Sequence, residues 1–201
     1  MSDWRETPTL TGRHVTLRPL ATDDRDALVA ATSDGRLWEL FYSLAPGPET
    51  IDLWFAYTFR DQEQARSMTF TVEDKAGRVV GSTRYLRMNE ANRRVEIGGT
   101  FYAASVQRSG VNTEAKLLLL THAFETLGCV CVQFRTDWFN KRSQAAIERL
   151  GAKQDGVLRG QRIMPDGRVR DTVVYSILDH EWPGVRRNLQ MMLARHEEKS
   201  A

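Results

Sequence analysis

The stretch "VQRSGVNTEAKLLLLTHAFETLG" runs from Val106 to Gly128. Its first half is polar and holds Gly110, and its second half reads as an apolar helix. Ala115, Leu118, Leu119, His122 and Ala123 recur at helical spacing, and Leu117 and Leu120 widen that face. This helix is therefore expected at the centre of the fold. A helix start carries about half a positive charge from its unpaired N–H groups. Gly110 lets the chain curl so that successive N–H groups converge. Such a turn suits a phosphate or pyrophosphate, and Arg108 adds a full charge. The same residues also suit a helix that is merely capped, so the flanking sequence has to decide.

Upstream, "RHVTLRPL" (13–20) alternates as a strand, and Thr22, Asp23 and Asp24 open the helix "DDRDALVAAT". After the break "APGPET", residues 50–65 read as an amphipathic helix. Strands are expected over 67–74, 78–88 and 93–102. Downstream come "CVCVQFRTD" (129–137) as a strand and 140–151 as a helix with Gly151 at its C-cap. "PDG" (165–167) then joins two further strands as a hairpin. The tail, 182–201, reads as a short, fraying helix. The order predicts a mixed α/β (α+β) domain with a mostly antiparallel central sheet flanked by helices. No linker divides the 201 residues, so one domain is expected over 1–201, with its core at about 10–180.

Charge and composition narrow the classes. The chain has 28 basic and 26 acidic residues, a balance that argues against a nucleic-acid partner. No apolar run is long enough to cross a membrane, and "MSDWRETPTL" lacks the features of a signal peptide, so a cytoplasmic location without membrane attachment is expected. Cys129 and Cys131 read as strand neighbours on one face, poorly placed to bridge. They and the four histidines show no ligand spacing, so no metal is expected. His122, mid-helix beside the apolar face, reads as a core histidine.

The separated motifs together resemble the GNAT family of acetyl-CoA-dependent N-acetyltransferases. The family's acetyl-CoA motif, Gln/Arg-x-x-Gly-x-Gly/Ala, reads here Gln107-Arg108-Ser109-Gly110-Val111-Asn112. "VTLRPL", "VVGSTRYL", "VEIGGTF" and "NKRSQAAIERLGA" are similar to the RimJ/RimL-type branch, which acetylates α-amino groups of ribosomal proteins among other substrates. The resemblance implies a GNAT-like fold whose strands 93–102 and 129–137 splay apart around acetyl-CoA. It places the pantetheine arm on backbone at Thr100, Phe101 and Tyr102. It places the pyrophosphate on N–H groups of residues 108–113, which include Val111 and Thr113. Asn112 stands where the family has Gly or Ala; it either crowds the pyrophosphate or caps the helix, and is read as a cap.

The implied reaction moves an acetyl group from a thioester to a primary amine, with acetyl-CoA as acyl donor. The amine must lose a proton, and Glu96, opposite in direction to Val95 and Ile97, is the candidate base. Its alternative is a strand-surface carboxylate paired with Arg94 or Arg84. Many family members protonate the leaving thiolate with a tyrosine seven residues after the helix-opening Asn; that position here is Ile147. The RimL-like pattern Asn140-Lys141-Arg142-Ser143 offers Ser143 instead, with Asn140 and Arg142 on the cofactor. The alternative for Asn140 is a plain N-cap.

The acceptor is expected where the first two helices cover the sheet, among Trp38, Tyr42, Trp54, Phe55 and Tyr57, with Glu39 or Asp34 attracting a cationic amine. An α-amine, with a pKa near ~8 against ~10.4 for lysine, is more readily deprotonated by one carboxylate. The acceptor is thus a peptide N-terminus or a small-molecule amine. Two other readings stand beside this one: an acyl-CoA-binding module without turnover, and a transferase for a bulkier acyl group accommodated by Gly98 and Gly99. A homodimer is expected through strand edges of the last hairpin and apolar Met191, Met192 and Leu193.

Overall fold

The computed structural model describes residues 4–198; residues 1–3 and 199–201, the ends of the expected domain and tail, lie outside the described residues. Eight strands form one sheet in the order β1-β2-β3-β4-β5-β6-β8-β7. They are β1 (Leu10–Thr11), β2 (Val15–Pro19), β3 (Met68–Asp74), β4 (Val79–Asn89), β5 (Arg94–Tyr102), β6 (Cys131–Asp137), β7 (Lys153–Ile163) and β8 (Val169–Leu178). The helices are α1 (Arg25–Ser33), α2 (Ile51–Glu63), α3 (Val111–Thr121), α4 (Lys141–Glu148) and α5 (Trp182–Glu198). All neighbouring strands pair antiparallel except β5 and β6, which run parallel. The mostly antiparallel sheet flanked by helices is the fold expected from the sequence.

Adjacent residues of a strand face opposite sides of the sheet. Phe101 joins the cluster under α1 and α2 with Leu28, Ile51 and Phe55, while Tyr102 joins the larger core with Leu119, Leu120 and Leu189. α3 lies in that larger core, as its apolar face requires. Its end widens into a π-helical turn, His122–Thr126. There His122 stacks on Tyr85, whose hydroxyl donates to the Leu119 carbonyl at 2.6 Å. His122 is a core histidine, its pKa lowered by burial.

The start of α3 is pinned by a carboxylate. Glu114 accepts the backbone N–H groups of Arg13, His14 and Val15 at 2.8, 2.5 and 2.9 Å. Gly12 gives it room, since a Cβ there would lie 2.4 Å from the Glu114 carboxyl carbon.

Five local expectations are corrected. The tail is a 17-residue helix rather than a short fraying one, because Trp182, Val185, Leu189 and Leu193 bury one face. Those anchors also cover Leu193 and leave Met192 packed against the core, so that only Met191 of the three expected apolar residues is exposed. Cys129 precedes β6 rather than lying in it; both thiols are free. Asn112 is not the cap of α3: Gly110 occupies that position, with φ −66° and ψ −17°, and Asn112 lies within the first turn. The left-handed residue of the turn is Arg108, at φ 62°, so the curl does not depend on glycine's conformational freedom at Gly110.

Candidate active site

The site follows from a failure of pairing. β5 and β6 are in register only at Arg94↔Cys131, Val95↔Val132 and Glu96↔Gln133. Beyond Glu96 the two strands part. On its other edge β5 stays bonded to β4, with Arg84 opposite Gly98 and Ser82 opposite Phe101. Gly99 and Thr100 therefore face the single residue Thr83, a bulge that re-aims the strand. Gly99 adopts φ +56°, which glycine takes without strain. The free edge of β5 thus borders a cleft of about 1230 Å³. Thr100, Phe101 and Tyr102 line it, beside the backbone edge where the pantetheine was expected.

At one end of the cleft the first turn of α3 meets α4. The backbone N–H groups of Arg108, Ser109, Gly110, Asn112 and Thr113 donate to no protein group among the described residues. Ser109 Oγ donates to the Val106 carbonyl at 2.5 Å and receives Val111 N–H at 3.3 Å, which ties the turn. Gln107 bridges strand and helix: its Nε2 donates to the Tyr102 carbonyl at 2.9 Å, and its Oε1 accepts from Arg142 at 2.8 Å. Arg149, one heptad beyond Arg142 and so on the same helix face, donates to Thr113 Oγ1 at 3.2 Å. Burial lowers the pKa of Arg149. Free N–H donors, a helix N-terminus and nearby guanidinium groups fit the pyrophosphate of a CoA thioester. Among the expected cofactor residues, the side chains of Val111 and Thr113 are buried away from the cleft, leaving the Thr113 backbone N–H as a donor.

Glu96 lies where the strands diverge. It is 6% exposed, and its Oε2 lies 3.0 Å from Arg87 Nε and 3.2 Å from Arg135 Nε. Burial raises its carboxyl pKa, although Arg135 and Arg87 hold it down. The expected partners Arg94 and Arg84 are replaced by these two arginines as its ion pairs. Ser143 lines the same cleft. Asn140 caps α4, accepting Ser143 N–H at 3.0 Å, and also lines the cleft, so the two readings of Asn140 coexist.

On the acceptor side, Tyr42, Trp54 and Tyr57 line the cleft, whereas Trp38 and Glu39 do not. Trp38 lies against Gly47, whose absent Cβ would sit 2.9 Å from the indole. Glu39 is paired to Arg36, and Asp34 accepts Ser105 N–H at 2.9 Å. Phe55 is core. Gly98 and Gly99 both line the cleft; a Cβ at Gly99 would lie 2.7 Å from Arg84 Nε, and one at Gly98 would lie 3.1 Å from Leu86. The missing Cβ at Gly99 gives Arg84 room.

Lys116 was not anticipated. It sits among the apolar residues of α3, 6% exposed, with Nζ donating to Thr100 Oγ1 at 3.0 Å and Thr83 Oγ1 at 3.4 Å. With hydroxyls as its partners, burial pushes its pKa down to about 7. Its signal was a lone lysine in "NTEAKLLLL". Among the described residues no cluster of three His, Cys, Asp or Glu side chains could hold a metal, and no helix is long and apolar enough to cross a membrane.

The family model of the acetyltransferase (GNAT) domain matches residues 14–153. The chain belongs to the GNAT acetyltransferase family. This acetyltransferase is 27% identical, over 85% of its length and 94% of the relative's, to "Putative ribosomal N-acetyltransferase YdaF" of Bacillus subtilis (strain 168). A GCN5-related N-acetyltransferase from Brucella melitensis is 30% identical with a TM-score of 0.83, covering 96% of this chain and 88% of that one. Mycobacterium smegmatis RimJ in complex with CoA-disulfide shares the fold of the acetyltransferase at a TM-score of 0.78 and 20% identity, over 92% of this chain and 95% of that one. The RimJ/RimL-type resemblance read from the sequence agrees with these relatives.

Proposed function

We propose that this acetyltransferase moves the acetyl group of acetyl-CoA directly to a primary amine held in the same cleft. The observation that carries the reading is the parting of β5 and β6 immediately after Glu96, which brings the free edge of β5, the α3 turn and the base candidate into one cleft. When bound, acetyl-CoA supplies the activated acetyl group. The N–H groups of residues 108–110, 112 and 113 and the guanidinium groups of Arg142 and Arg149 hold its pyrophosphate. The backbone of Thr100–Tyr102 holds the pantetheine arm. Glu96 takes the proton from the attacking amine, and the pKa rise that burial causes strengthens it as a base. Ser143, at the first turn of α4, gives a hydrogen bond to the departing sulfur, and the positive end of that helix favours the thiolate.

The fold of a RimJ and the name of the Bacillus subtilis relative support a peptide α-amine as one acceptor class, with small-molecule amines as the other. We take 1–201 as one domain and place the enzyme in the cytoplasm. The free edge of β7 and exposed Met191 support a homodimer, which light scattering tests.

The direct test follows release of CoA thiol with a panel of amines. The wild type should turn over, while Glu96→Gln and Ser143→Ala lose rate but keep their affinity for acetyl-CoA. Unchanged rates in both variants would remove their assigned roles. Binding without turnover against every amine would leave a CoA-binding module.

A further inference from the structure

The acceptor end of the cleft was expected to attract a cation through carboxylates. It is instead rich in guanidinium groups. Arg84 and Arg170 are each only 8% exposed, and both line the cleft. Arg84 donates from Nη1 to Thr58 Oγ1 at 3.2 Å and lies over the Trp54 ring, 5.6 Å from its centroid, yet its Nε has no hydrogen-bond partner. Arg170 Nε lies 3.8 Å from Asp137 Oδ2 and is also unpartnered. That oxygen is already taken by Arg168 at 2.7 Å, and Asp137 Oδ1 accepts Phe139 N–H. Arg135 Nε is unpartnered as well.

Among the described residues, three carboxylates line the cleft against this excess of guanidinium groups. Glu96 balances Arg87 and Arg135 and its field also reaches Arg84 and Arg170, Asp61 acts on Arg84, and Asp137 acts on Arg170. Burying guanidinium groups in excess of their carboxylates is costly, and the buried, unpaired Nε atoms show that the protein's own acceptors do not satisfy these arginines. An anion in the cleft, facing the arginines that line it, would offset that excess of positive charge.

We infer that the acceptor carries an anionic group, a carboxylate or phosphate, within a few bonds of its nucleophilic nitrogen, and that Arg135 and Arg170, with Arg84 across the cleft, hold that group while Glu96 receives the amine's proton. The inference rests on the acetyltransferase reading and narrows it. The arginines set which amine enters. The bonds exchanged are those of the transfer itself: nitrogen to acetyl carbon forms, sulfur to acetyl carbon breaks, and the amine's proton goes to Glu96.

The experiment compares matched acceptors with the whole chain and acetyl-CoA. Small pairs are glycine with glycinamide, L-phenylalanine with its amide, and O-phospho-L-serine with L-serinamide. Peptide pairs are Asp-Ala-Ala-amide with Asn-Ala-Ala-amide and Glu-Ala-Ala-amide with Gln-Ala-Ala-amide. Near neutral pH the amino-acid amides hold the larger fraction of free amine, so a preference for the free acids cannot come from basicity. The expected result is a kcat/KM at least ~10-fold higher for the anionic member in the small or the peptide set, the favoured set identifying the source. Arg170→Gln should remove that preference through KM for the acceptor while leaving acetyl-CoA affinity unchanged, which also shows that the variant is folded. Equal or faster transfer to the amides overturns the inference and leaves the acetyltransferase reading intact. Saturable acetyl-CoA binding with no transfer to any pair also overturns it. Failure to bind acetyl-CoA removes the reading beneath it.

Discussion

Arg135 Nε lies 3.2 Å from Glu96 Oε2, and neither atom has a hydrogen-bond partner of proper geometry. Oε2 is held between Arg87 and Arg135 by charge attraction, while Glu96 as a residue lines the cleft. Glu96 must be ionised to take a proton, and burial places its pKa above the usual 4.5. The rate should therefore fall as pH drops through that raised pKa. Glu96→Gln should lose roughly 10²–10⁴-fold in kcat, the range of general base catalysis, and should lack that acidic limb. A pH–rate profile of both proteins checks this; a variant with wild-type rate or the same acidic limb would exclude Glu96 as base.

Lys116 links the cleft to stability. Its pKa is about 7 in the folded chain against 10.5 for an ordinary lysine, so between those values the unfolded chain binds the extra proton. Stability should then rise with pH from about 7 to 10.5 and be lost as pH falls through that window. The full contribution is on the order of 5 kcal/mol, from ~1.4 kcal/mol per pH unit. Lys116→Met should flatten the rise and stabilise the protein at neutral pH. Urea unfolding from pH 7 to 9 measures it; equal slopes in both proteins would mean that the ammonium is better solvated than its surroundings indicate.

α5 is part of the core, not an appendage. Leu189 is 0% exposed in the cluster with Leu119 and Leu120, while Met191 is 50% exposed. Leu189→Ala should cost ~2–5 kcal/mol, and Met191→Ala within ~0.5 kcal/mol of nothing. Chemical denaturation of both variants distinguishes an integral helix from a loose tail, for which the two substitutions would cost the same.

Glu114 should be equally sensitive, for a different reason. Glu114→Ala strands the N–H groups of Arg13, His14 and Val15; that of Val15 is buried and alone costs ~1–3 kcal/mol, and the two part-buried ones add less. A thermal melt should drop clearly. A melt unchanged from wild type would mean that water replaces the carboxylate.

The legible features were those written locally. The apolar spacing of α3, the alternation of β2 and the "PDG" turn depend on neighbours in sequence, and each marked its element to within a few residues. The cap was misread because Asn112 has the right chemistry two residues too late, with Gly110 already serving as cap. The tail was misread because its anchors recur among many charges, and only packing on α3 shows that they are buried. Site residues divided the same way. Glu96 and the α3 turn belong to contiguous motifs. Arg84 was weighed only as a partner of Glu96, while Arg135 and Arg170 come from β6 and β8 and join it only after the sheet forms, so no spacing in the chain announces them. Arg149 left one trace, the seven-residue step from Arg142 on a helix.

The central claim is that the α3 turn and the α4 arginines hold acetyl-CoA, and calorimetric titration tests it most directly. The account predicts saturable one-to-one binding of acetyl-CoA, retained with desulfo-CoA and weaker with adenosine diphosphate. Arg149→Met should weaken it about tenfold or more, the scale of one charge-assisted contact, with no change in melting temperature. No binding at millimolar acetyl-CoA would contradict the claim and reduce the turn at Gly110 to a helix start.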